Sequence, residues 1–153
     1  MKTLAASLIC AALMVSGCTG TGHLYPVQGP LASQTAPPIY SFRMSGAFNS
    51  GTVSATLAGG QVYHGTWTLV SRQPQDGANQ PAVDWRQVWD AVYGSGFYNA
   101  NVLGAPLHVR SAMTDAQGTT LNVEFYRRNI PGQMTEIRGV AKDASGNIYK
   151  AVI

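Results

Sequence analysis

The sequence predicts a mainly β fold: an antiparallel meander of seven to eight strands forming a small barrel or curved sheet, with one short α-helix near residues 85–93. Three observations carry this expectation. Most of the segment 41–153 alternates apolar and polar residues with a period of two. Glycine (17) and proline (8) together outnumber the charged residues, 10 Lys and Arg with 7 Asp and Glu, so turns should be frequent and strands short. Only one stretch switches to a helical period. At 153 residues the chain suits one domain, divided here into a leader at 1–17, a linker at 18–40 and a β domain at 41–153.

Each element has its own warrant. In 41–48, Phe42, Met44, Gly46 and Phe48 fall on one face, with Ser41, Arg43 and Ser45 on the other. Residues 49–51 read as a turn, and 52–57 alternates again with Val53, Ala55 and Leu57 inward. After Ala58-Gly59-Gly60, residues 61–70 place Tyr63, Trp67 and Leu69 on the inner face. A polar loop runs from 71 to 82. Then Trp85, Val88, Trp89 and Val92 stand at i, i+3, i+4 and i+7, one helical stripe. Asp84 is a good N-cap, Gln87 can complete a capping box, and Gly94 suits the stop. A helix this short must bury its tryptophans against the sheet or over an open end of it. Residues 94–101 read as a flexible aromatic loop.

Strands resume at 107–113, with Leu107 and Val109 inward and His108 and Arg110 outward. The strand at 119–127 turns Leu121, Val123 and Phe125 inward, and strands at 133–142 and 148–153 follow. Asp115-Ala116-Gln117-Gly118 and Asp143-Ala144-Ser145-Gly146 share the Asp-first, Gly-fourth signature of a type I turn. Asn129-Ile130-Pro131-Gly132 is a further turn signal. The unit Gly60-Gln61-Val62-Tyr63-His64-Gly65-Thr66-Trp67 resembles a single MORN-type repeat. Such repeats stack only in several copies, so the unit reads as a hairpin in which aromatic rings pack on glycine backbone.

The N-terminal segment is an address. Met1-Lys2-Thr3 gives a positive start, and residues 4–15 follow without a charge. Twelve residues are too few to span a bilayer core of about 30 Å, which needs roughly 20 in a helix, so the segment reads as a secretory signal. It ends in Val15-Ser16-Gly17-Cys18, which resembles the lipobox of bacterial lipoproteins. The resemblance implies cleavage before Cys18, a thioether-linked diacylglycerol on its sulfur and an N-acyl chain such as palmitate. It also implies residence in the cell envelope, and Thr19, where an Asp would retain such proteins at the inner membrane, implies the outer membrane facing the periplasm. Cys10 would leave with the leader and Cys18 would be acylated, so no thiol would remain for a disulfide or a cysteine metal site. Residues 18–42 contain four prolines and, before Arg43, no charge, which reads as an extended tether. Leu24-Tyr25-Pro26-Val27 and Pro30-Leu31 are too apolar for a purely solvated linker and suit docking on the domain or on a partner, the domain being favoured. The same stretch resembles the start of other small proteobacterial envelope lipoproteins. In size, anchor and strand content the chain also resembles the membrane-bound lysozyme inhibitors, although it lacks their disulfide.

Charged residues make up only 11% of the chain, too few for a nucleic-acid partner. No Walker loop, G-x-G-x-x-G or G-x-S-x-G is present, so no cofactor and no catalytic residue is expected. His23, His64 and His108 lack metal-ligand spacing, so no metal is expected either. Glu124 and Glu136 lie on neighbouring strands. They read as cross-strand partners of arginines, Arg127 or Arg128 for the first and Arg138 for the second; a glycosidase pair would instead need both carboxylates in an open cleft. Two functional expectations follow. One is a non-enzymatic, lipid-anchored β domain with a binding or structural role, which binds an envelope protein or cell-wall partner, for instance as an inhibitor of a cell-wall hydrolase, or supports the cell wall or an assembly. The other is a carrier of an apolar ligand or lipid, with Trp85, Trp89, Phe97 and Tyr98 as the mouth of the cavity. A sealed core would remove the second.

Overall fold

The computed structural model describes residues 18–47, 49–70, 83–128 and 136–153. The leader at 1–17, Phe48, the polar loop at 71–82, the turn at 129–132 and the first residues of the strand expected at 133–142 lie outside the described residues. Eight strands form a closed barrel: β1 Cys18–Gln28, β2 Tyr40–Ala47, β3 Ser50–Thr56, β4 Val62–Leu69, β5 Leu107–Thr114, β6 Thr120–Arg128, β7 Glu136–Asp143 and β8 Ile148–Val152. Each strand pairs antiparallel with the next, and β8 pairs with β1, so closure leaves none of the eight as a sheet edge. One helix, α1 at Trp85–Tyr93, stands between β4 and β5 in sequence.

The linker expectation is corrected. Cys18–Gln28 is a wall strand, not a tether, and the barrel wall includes residues from Cys18 onward instead of from residue 41. Cys18 pairs with Gly46 of β2, and Leu24 pairs with both Tyr40 of β2 and Ala151 of β8. Docking of the apolar stretch holds in a stronger form: Leu24 is fully buried in the barrel, and the Leu31 N–H donates to Asn147 Oδ1 at 2.9 Å. Gly22 explains why the strand can close the barrel. A Cβ there would stand 2.2 Å from the Val152 carbonyl oxygen and 2.7 Å from the Phe42 ring. Only glycine lets the β1–β8 seam and that ring approach so closely.

Helix α1 has the predicted bounds. Asp84 Oδ1 accepts from the Gln87 N–H at 3.1 Å, and the Gly94 N–H closes on the Asp90 carbonyl. The stretch read as a flexible loop is instead ordered. Asp90 accepts from the N–H groups of Gly96 at 3.0 Å and Tyr98 at 3.1 Å, and Tyr98–Val102 winds into a single π turn. The two Asp-first turns are alike as expected. In each, the Gly N–H bonds back to the Asp carbonyl, and the Asp carboxylate accepts from the residue after that glycine, Thr119 or Asn147.

Two cores result. The inner one fills the barrel from Leu24, Tyr40, Val53 and Tyr63 up to Phe42 and Phe125, whose rings lie 5.4 Å apart. The outer one lies between α1 and the outside of the barrel wall, built on Val88, Trp89, Val102, Tyr126, Val140 and Ile148. The helix therefore covers the wall and not an open end.

Candidate functional site

The up-and-down topology gathers the start of β1, the β2–β3 turn, the start of β5 and the ends of β6 and β8 at one end of the barrel. The packed inner core stops short of this end. A cavity of about 550 Å³ opens here, lined chiefly by Met44, Trp67, Leu107, Val109, Phe125 and Ile137. Its volume falls in the range of roughly 300–1,000 Å³ typical of small-molecule sites.

Its origin is local. Inward positions near this end carry glycine at Gly20, Gly46 and Gly51, which leaves room where other small barrels place side chains. Trp67 uses that room to lie flat along the wall. Added Cβ atoms at Gly46 and Gly51 would meet its ring at 2.6 and 2.5 Å, and its indole N–H donates to the Ser45 carbonyl at 3.0 Å. The ring thus becomes cavity wall instead of filling. This is the predicted packing of an aromatic on glycine backbone, although the glycines belong to the neighbouring hairpin. Arg127 sits at the rim, and among the described residues it carries the one charged side chain of the cavity lining. A smaller recess of about 420 Å³ adjoins the first, sharing Leu107, Tyr126 and Arg127 and adding Asn101 and Arg128.

The four aromatics expected to form the mouth do come together, but elsewhere. Trp85, Trp89, Phe97 and Tyr98 lie in the outer core, and none of them lines the cavity. Trp89 is fully buried, stacks on Tyr93 and Phe97 with centroids at 5.4 and 5.9 Å, and meets Tyr126 edge-on at 5.4 Å. Arg138 covers the Tyr93 and Phe97 faces at 5.5 and 5.7 Å, and Lys150 covers Tyr93 at 5.6 Å. This is cohesion between helix and wall. The mouth expectation fails because the helical stripe faces β7 and β8 from outside.

Beneath that layer lies a buried polar cluster. Glu124 is fully buried on the outward side of β6. Its Oε2 accepts from Trp89 Nε1 at 2.5 Å, and its Oε1 accepts from His108 Nε2 and from Arg110 Nε at 2.6 Å. Arg110 stands directly across from Glu124 in the β5–β6 register, donates to the Tyr98 hydroxyl at 3.3 Å and lies over the Trp85 ring at 5.5 Å. The expectation of an outward cross-strand arginine partner holds. The arginine is Arg110 and not Arg127 or Arg128, and the pair is not a solvated surface pair: Glu124 is fully buried and Arg110 partly so. Glu136 pairs with Arg138 Nε at 2.6 Å. With both carboxylates so engaged, and Glu124 closed off from solvent, they do not form the open cleft that glycoside hydrolysis needs.

Burial pushes the Tyr93 hydroxyl up to about 12 and also raises Tyr98, with the Glu124 charge adding to the second. The Tyr98 hydroxyl accepts from Arg110, and the Tyr93 hydroxyl donates to the Gly139 carbonyl at 3.5 Å. His23 and His64 are exposed, whereas His108 is buried in the Glu124 cluster. Among the described residues, no group of three His, Cys, Asp or Glu side chains is placed to hold a metal ion. No known family, no curated protein and no solved structure matches this chain.

Proposed function

We propose that the protein is a non-catalytic, lipid-anchored envelope lipoprotein whose barrel holds an apolar ligand in the cavity at the Cys18 end. The single observation that carries the binding reading is that cavity: an apolar space of about 550 Å³ in a barrel whose other end is packed. A sealed barrel would have removed the carrier reading, and this barrel is not sealed. Two further features support it. Glu124, the one fully buried acid among the described residues, is held by three donors and covered by α1, away from the cavity. The lipobox resemblance puts acyl chains on Cys18, and Cys18 opens β1 beside the cavity-lining residues Thr19 and Gly20. With no tether between them, an anchor at Cys18 would hold the cavity mouth against the lipid surface, so an apolar ligand could pass from bilayer to barrel without crossing water.

The test is photolabelling of the full chain in envelope vesicles with a diazirine-bearing fatty alcohol. Labelled peptides are expected to contain Met44, Trp67, Phe125 and Ile137. Ile137→Trp, which fills the mouth, is expected to cut that labelling by about tenfold, the equivalent of ~1.4 kcal/mol. Labelling confined to the outer wall, or untouched by Ile137→Trp, would overturn the reading.

A further inference from the structure

The cavity and its annex differ in chemistry, and the difference names a ligand class. Along β6 the inward positions are Leu121, Val123, Phe125 and Arg127. Three of them build the core or the cavity wall, and the fourth, at the rim, is an arginine. Its cross-strand neighbours, Leu107 on β5 and Ile137 on β7, both line the cavity. An arginine in an inward register, between two apolar residues, borders the apolar space directly. Arg127 also borders the annex, where Arg128 and Asn101 join it. The annex therefore offers guanidinium and amide donors, whereas the chamber next to it is walled chiefly by apolar side chains.

Resting on the binding reading above, we infer that the ligand is a single-chain amphiphile with an anionic head. Its acyl chain occupies the barrel cavity, and its carboxylate or phosphate monoester lies at Arg127, in the annex with Arg128 and Asn101. Guanidinium groups suit both heads because their planar N–H forks match carboxylate and phosphate oxygens. The several N–H donors of an arginine allow Arg127 to keep other contacts while it binds the head. A neutral apolar ligand would gain nothing from this rim. A cationic one would be repelled by it.

The experiment compares three diazirine probes of equal chain length on the full chain in envelope vesicles: a fatty acid, an alkyl phosphate and a fatty alcohol. The readout is cavity labelling at subsaturating probe, expressed as a ratio to the alcohol. For the native chain, the acid or the phosphate is expected to exceed the alcohol by about tenfold, the equivalent of ~1.4 kcal/mol, and the larger ratio identifies the head. Arg127→Gln is expected to bring that ratio close to unity, and Arg127→Lys to restore part of it. Arg127 is exposed, so neither substitution opens a core; circular dichroism of each variant checks this. Equal labelling by all three probes, or a ratio that Arg127→Gln leaves unchanged, would overturn the anionic head and leave the apolar cavity standing. Failure of every probe to label the cavity would overturn both.

Discussion

Replacing Glu124 by alanine is expected to destabilise the barrel by about 3–5 kcal/mol, the usual cost of removing one partner from a buried ion pair. Three donors lose their acceptor at once: the Trp89 indole N–H, His108 Nε2 and Arg110 Nε. Arg110 is left as a partly buried cation beside the Tyr98 hydroxyl and the Trp85 ring. The loss lies between helix and wall, so α1 is expected to loosen before the barrel opens. Two further variants separate lost charge from lost packing. Glu124→Gln keeps an acceptor oxygen and should cost less. The double change Glu124→Leu with Arg110→Leu removes both charges together and should recover part of the loss, since an apolar pair of similar volume carries no desolvation penalty. Denaturant unfolding of the native chain and the three variants gives the comparison. A Glu124→Ala change within about 0.5 kcal/mol of the native chain, as at an ordinary surface site, would show that the cluster does not bind helix to wall.

Gly22→Val is expected to cost about 3 kcal/mol or more, at or beyond the usual upper range for overpacking, because the obstacle is backbone and not a movable side chain. The first added carbon would stand 2.2 Å from the Val152 carbonyl oxygen, across the seam that closes the barrel. Relief requires β1 and β8 to part, or Phe42 to leave its place against Phe125. The same substitution in an extended tether would be almost silent. Equilibrium unfolding of the variant therefore distinguishes a wall strand from a linker, and an unchanged unfolding midpoint would return residues 18–28 to the linker.

Most of the wall was legible because its inward positions are large and apolar. Phe42, Val53, Tyr63, Val109, Leu121 and Phe125 keep their alternation in sequence and in space. Helix α1 was legible to the residue, since a tryptophan–valine stripe and an aspartate cap left no competing period. β1 was not. Its inward positions include Gly20 and Gly22 before Leu24, so the apolar alternation that marks a strand is missing where the barrel needs empty space. The repeated Thr-Gly of residues 19–22 was the available signal, and it reads equally well as a flexible linker.

The polar cluster was half legible. Outward His108 and Arg110 and the acid at Glu124 were visible, but burial depends on α1 folding over them, which alternation along a strand cannot show. The cavity was least legible of all, because a void is a property of three-dimensional packing. Even so, Arg127 continues the inward series of Leu121, Val123 and Phe125. A charge in that series marks a rim, whereas its neighbour Arg128 invites reading the pair as a scattered basic patch.

Native mass spectrometry of the protein released from its own envelope, alongside the Ile137→Trp variant, tests the central claim most directly. The expected spectrum shows a chain starting at an acylated Cys18, with one molecule bearing an apolar chain held noncovalently in the native protein and absent from the variant. A native chain that carries no such molecule, or a variant that retains it, would contradict the account.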